Sequence, residues 1–164
     1  MTYLKILLPF LLMMFMGLPE ARMSGVIGGD MPVASVTPGA TNPAVTQANI
    51  KQTICVPGFT KTIRPPATYT TKLKLQQLRS GPYKGKGGAA DVEEDHLIPL
   101  TVGGHPTDHK NLWPQLWDSA KKKDKLEVLA NKLVCSGKVP LTVMQQAIAT
   151  DWVAALNKYG WRIP

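Results

Sequence analysis

Residues 92–115 read VEEDHLIPLTVGGHPTDHKNLWPQ, and their punctuation decides the fold. VEEDHLIPL and NLWPQ are short runs with the apolar and β-branched content of strands, and Gly103 and Gly104 mark a tight turn between them. After them, Asp118 or Ser119 offers a helix cap, and Leu126, Leu129, Ala130 and Leu133 recur at i, i+3, i+4 and i+7 before Gly137. The reading is strand, turn, strand and amphipathic helix.

Further along, Thr142 with Gln145 reads as a capping-box start for a second helix carrying Met144, Ile148, Trp152, Ala155 and Leu156. Upstream, residues 70–79 read as a short helix with Leu75 and Leu78 on one face and Lys72, Lys74 and Arg79 outward. Residues 80–90, SGPYKGKGGAA, form a flexible basic loop. Before that, Pro57, Gly58, Pro65 and Pro66 break residues 52–70 into short extended pieces.

The N-terminus carries Lys5 and then ILLPFLLMMFMGLP, which fits an export signal over residues 1–23 and is short for a membrane span. An uncleaved anchor is the alternative. Residues 24–47, rich in Gly, Pro, Thr and Ala, predict a flexible tether, and the folded domain then occupies residues 48–164. The chain has 164 residues and a net charge of +8, and the part after residue 23 keeps +7. That length excludes a multi-domain machine, and two cysteines exclude a dense disulfide scaffold or a four-cysteine zinc site. In an oxidising compartment Cys55 and Cys135 are expected to bridge; two buried thiols beside Ile54 and Val134 are the alternative.

Glu93, Glu94 and Asp95 immediately precede His96. Three adjacent carboxylates repel one another unless a positive group sits nearby, and a hard divalent cation beside an imidazole answers that need. The plainer reading of those four residues alone is a solvated acidic turn with a strand histidine.

The series DHLIPL, GG and NLWP, followed by a helix carrying KDKLE, resembles the HNH endonuclease family with its ββα-metal fold, in particular its secreted bacterial members. TICVPG, KTIRPP, VCSG and the final DW helix extend the likeness over residues 46–160. The resemblance implies an α+β fold with a small ββα-metal core and additional packed helices. It also implies hydrolysis of phosphodiester bonds in DNA or RNA, with His96 as general base, Asn111 orienting it through the side-chain oxygen, and Asp95 as a metal ligand. The implied cofactor is a divalent ion, Mg²⁺ first, with Mn²⁺, Zn²⁺ or Ni²⁺ as alternatives. Where relatives carry Asn-Ala near the helix start this chain has Ser119-Ala120, and serine is a weak ligand. Asp124 is the candidate to complete the metal site; it or Glu127 can instead pair with Lys121 or Lys123 at helical spacing.

The basic groups expected to meet phosphates are Lys84 and Lys86 in the loop and Lys121, Lys122 and Lys123 at the helix start. His105 and His109 sit in a Gly-Pro-rich loop and read as structural, not as zinc ligands. Trp113 reads as core. Two function classes follow: a secreted or periplasmic metal-dependent nuclease, or a degenerate HNH-like domain that binds nucleic acid or an envelope partner without cutting.

Overall fold

The computed structural model describes residues 30–160. The expected export signal and the first part of the expected tether lie outside the described residues. The fold is α+β, with one two-stranded antiparallel sheet, four α-helices and short 3-10 turns among the described residues. Strand β1 (Val92–His96) pairs with β2 (Leu112–Leu116) in a register that sets Val92 against Leu116 and His96 against Leu112. Helices α1 (Phe59–Ile63) and α2 (Ala67–Arg79) precede the sheet, and α3 (Trp117–Cys135) and α4 (Leu141–Gly160) follow it. The strand, strand, helix order expected from residues 92–133 is present. Pro114 is tolerated inside β2 because both strands of a two-stranded ribbon are edge strands.

The connection between the strands is longer than the tight turn read from Gly103-Gly104. Residues 97–111 form a loop with 3-10 turns at Leu100–Val102 and His109–Asn111. The loop folds inward because Leu97, Ile98, Leu100 and Val102 are apolar, and all four are buried. Gly104 permits this shape: a Cβ there would lie 1.7 Å from the Ile98 carbonyl oxygen, which no side chain tolerates.

α3 and α4 pack against each other and enclose Leu126, Leu129, Ala130, Met144, Ile148 and Trp152 with the loop residues and Trp113. On the other side of the ribbon α2 covers both strands, with Leu73 buried and the Gln77 side chain donating to the Leu112 carbonyl at 3.1 Å. The helix starts differ from expectation. Neither Asp118 nor Ser119 caps α3; both lie inside it, and the Leu116 amide at its start donates to Asp30 Oδ2 at 3.1 Å. Thr142 and Gln145 form no capping box, since the Gln145 amide donates to the Val102 carbonyl and Gln47 Oε1 accepts from the Leu141 amide. α4 breaks at Asp151 (φ −162, ψ 97), whose Oδ1 accepts from the Ala154 amide and restarts the helix.

From Asp30 onward the expected tether is part of the fold. Thr37 and Val45 are buried, Thr41 bridges to Gly104, and the Gly39 amide donates to the Lys110 carbonyl. The Val33 amide donates to the Tyr83 hydroxyl, and the Trp152 indole donates to the Asp30 carbonyl. Composition misled here because the segment is ordered through its backbone groups, which every residue type carries, and needs few large side chains of its own. The folded unit therefore includes residues that precede residue 48.

Cys55 and Cys135 are bridged, with Cα atoms 5.6 Å apart and a sequence separation of 80. No helix among the described residues is long and apolar enough to cross a membrane. Reduction of the bridge should lower unfolding stability by about 2 to 5 kcal/mol. Urea titrations of oxidised and reduced protein, compared at equal slope, give that difference.

Candidate active site

β1 alternates its side chains between two environments. Asp95 turns toward α3, and Glu93 feels the charges of Asp124, Lys123 and Glu127 on that helix. Glu94 and His96 take the other face, Glu94 near Lys74 and Gln77 of α2 and His96 within the field of Arg64. Burial raises Glu93 to about 7, helped by Asp95 and Asp124. Burial likewise raises Glu94 to about 8, with Asp95 adding to it and Lys74 opposing. Both Glu94 carboxyl oxygens are buried and neither makes a hydrogen bond of good geometry among the described residues, so the nearby Gln77 favours the charged form too weakly to offset burial.

His96 is 5 % exposed, and its Nε2 lies 2.9 Å from the Pro106 carbonyl oxygen. A carbonyl oxygen only accepts, so Nε2 carries the proton and Nδ1 keeps its lone pair. Burial pushes the imidazole below its usual value, so the ring is neutral at neutral pH. The chemistry this permits is proton abstraction at Nδ1.

The hydrogen bond to His96 expected of Asn111 is made by the Pro106 carbonyl instead. Asn111 is fully buried and its side-chain oxygen accepts from the Ile98 amide at 2.9 Å and the Ala40 amide at 3.4 Å. Its amide donates to the Ile98 and His105 carbonyls, each at 3.0 Å. Every polar group of the side chain is thus spent on backbone. Asn111 holds the loop whose Pro106 carbonyl holds His96, so its influence on that ring is indirect. His105 is structural as expected: its Nδ1 accepts from the Thr107 and Asp108 amides.

Lys123 is the largest departure from expectation. Assigned from sequence to a basic, phosphate-facing run, it is fully buried. Its Nζ lies 2.8 Å from Asp95 Oδ2, 2.9 Å from Glu127 Oε1 and 2.7 Å from the His96 carbonyl oxygen. Two carboxylates keep the ammonium charged, its affinity for the proton raised above the ordinary lysine value despite burial. Lys86 is engaged as well, pairing with Asp30 at 3.0 Å and lying 4.1 Å over the Trp113 ring. Of the five lysines expected to meet phosphates, Lys84 and Lys121 are exposed and Lys122 is half-exposed.

The donor set does not fit a resident divalent ion. Asp95 and Glu127 share the Lys123 ammonium, and the expected second ligand, Asp124, is exposed. The buried Ser119 hydroxyl, near the start of α3, accepts from the Asp30 amide at 2.9 Å and from Gln115 Nε2 at 3.0 Å. No cluster of three His, Cys, Asp or Glu side chains arranged to hold a metal occurs among the described residues.

Sequence reading missed Arg64 and Pro106. Arg64 is exposed and has no ion-pair partner among the described residues, and its charge bears on His96. Its only signal was one of two cations in KTIRPP, far from the DH pair in sequence. Pro106 acts through its backbone, which no residue type announces. Comparison of the chain with family models, with curated proteins and with solved structures finds no match.

The raised acids set a pH dependence. A carboxyl whose folded value exceeds its unfolded value of 4.5 binds more protons when folded, so stability falls as pH rises from 4.5 through the folded values of about 7 and 8. Thermal midpoints measured from pH 5 to pH 9 should decline, and Glu94→Gln should flatten the decline, because a neutral amide keeps the protonated form's charge at every pH.

Proposed function

We propose that this chain hydrolyses phosphodiester bonds of DNA or RNA outside the cytoplasm, with His96 as the general base. The observation that carries the reading is the His96 geometry: Nε2 fixed on the Pro106 carbonyl and Nδ1 left as a base in a neutral ring. Nδ1 takes a proton from water, the water oxygen attacks phosphorus in line with the leaving 3′ oxygen, and that P–O bond breaks. The leaving oxygen takes up a proton from solvent. Arg64, exposed and with no ion-pair partner among the described residues, is a cation whose field reaches His96, and it is the group proposed to meet the phosphoryl oxygens as they gain negative charge. The Cys55–Cys135 bridge suits the oxidising setting of a secreted or periplasmic protein.

A second reading has its own support. Lys123 occupies the place beside Asp95 where the resemblance puts a metal ion, which favours a domain that binds nucleic acid without cutting it. Purified exported protein incubated with plasmid DNA and with single-stranded RNA, in Mg²⁺ and in EDTA, separates the two. His96→Ala should lower turnover per folded molecule by about 10²-fold or more, beyond the loss of thermal midpoint that removing a buried, hydrogen-bonded ring brings. Undiminished turnover in that variant overturns the assignment of the base. Binding by the wild type with no cleavage in either buffer points to the second reading.

Because the base of the proposed mechanism must be neutral, turnover should hold at pH values where an exposed imidazole, with its pKa of about 6.5, is already protonated. A pH–rate profile whose acidic limb lies above that value would contradict the buried environment. Nucleic-acid affinity should fall with salt, and Lys121→Gln should reduce the log–log slope by about 1. Lys86→Gln should leave the slope unchanged, since Lys86 is committed to Asp30 and Trp113. Filter binding of one duplex across a salt series reads both.

A further inference from the structure

We infer that the Lys123 ammonium is the resident cation of this domain, a covalently attached occupant of the seat between β1 and α3 that a free divalent ion would otherwise take. Three oxygens surround the ammonium: it donates hydrogen bonds to Glu127 Oε1 at 2.9 Å and the His96 carbonyl at 2.7 Å, and forms an ion pair with Asp95 Oδ2 at 2.8 Å. Two carboxylates and a carbonyl are also what a hard divalent cation selects. The lysine stem reaches the seat from within α3, with Glu127 one turn further along the same helix.

Full burial excludes a role as a surface phosphate binder, because the side chain has no exposed area with which to meet one. It also makes the ammonium hard to replace. A metal ion would have to expel a tethered competitor and leave its charge without a partner in the interior. Two further acids, Glu93 and Asp124, lie close enough to interact with this group, so removing the ammonium would leave a cluster of carboxyl groups with no cation between them. Such a cluster accepts a divalent ion. The lysine is a positioning residue for His96: it holds the carbonyl of that residue and the carboxylate of the preceding one, and it does not touch substrate.

The inference goes beyond the hydrolase reading and is tested without nucleic acid, so failure of either leaves the other standing. Mn²⁺ is added to the full exported protein and followed by electron paramagnetic resonance and by thermal melting. The wild type should show the spectrum of the free aqua ion and one melting midpoint in Mn²⁺ and in EDTA. Lys123→Ala should melt lower than the wild type and recover by about 5 °C or more with Mn²⁺, while Lys123→Ala/Asp95→Asn should recover less. One equivalent of Mn²⁺ bound by the wild type would overturn the inference. A folded Lys123→Ala protein indifferent to Mn²⁺ would overturn it too, by showing that the oxygens form no cation seat. If that variant fails to fold, the wild-type titration decides the matter alone.

Discussion

The structure depends on one buried amide. Asn111 sits at the junction of the strand connection, β2 and the N-terminal segment, and hydrogen-bonds backbone groups of Ile98, His105 and Ala40. A loop of residues 97–111 that turns inward carries peptide groups that water cannot reach, and each one left unpaired would cost about 1 to 3 kcal/mol. A primary amide has two donors and an acceptor with two lone pairs, so one side chain serves several of them. Gly104 allows the approach, since its missing Cβ leaves room for the Ile98 carbonyl and the Asn111 amide nitrogen. With the loop held this way, the Pro106 carbonyl meets His96. Asn111→Asp would keep the acceptor, remove both donors and bury a charge.

Charge in the interior is organised on both sides of the ribbon. Toward α3, one ammonium is shared by Asp95 and Glu127. At the start of α3, Asp30 pairs with Lys86 through one carboxyl oxygen and accepts from the Leu116 amide through the other. The carboxylate lies where the helix dipole is positive, and it comes from 86 positions upstream. Toward α2 the nearby Lys74 donates to the Ala89 and Val92 carbonyls, Glu94 has no ion pair among the described residues, and burial holds its carboxyl up to about 8. These are the two ways a folded chain accommodates an acid away from water, by pairing it or by neutralising it.

How much was legible follows from which kind of interaction formed each part. The period of Leu126, Leu129, Ala130 and Leu133 gave α3 because a helix buries one stripe of itself, a local property. The ribbon was legible for the same reason, and Thr70–Arg79 fell within the observed α2. The packing of residues 30–47 was not, because it is made by backbone groups meeting partners such as Lys110, Gly103 and Tyr83 far away in sequence. Lys123 lies between Lys122 and Asp124 in a run that looks wholly solvated, and only its neighbours in space distinguish it. Its pairing with Glu127 was among the options that the four-residue spacing offered. Asn111 was recognisable as special, yet sequence pointed to the wrong partner. One acceptor oxygen serves a histidine or a peptide equally well.

The disulfide has a topological meaning apart from its energy. Cys55 and Cys135 close a covalent ring that contains α1, α2, both strands and the whole of α3 up to its last residue. His96, Asp95, Asn111, Lys123 and Arg64 all lie within the ring, while the N-terminal segment and α4 hang from it as two tails. A peptide bond cut anywhere between the cysteines turns the ring into a branched molecule and separates nothing. In a compartment rich in proteases, the oxidised chain could carry such a nick with His96, the buried Lys123 and its strand ribbon still on a single covalent body.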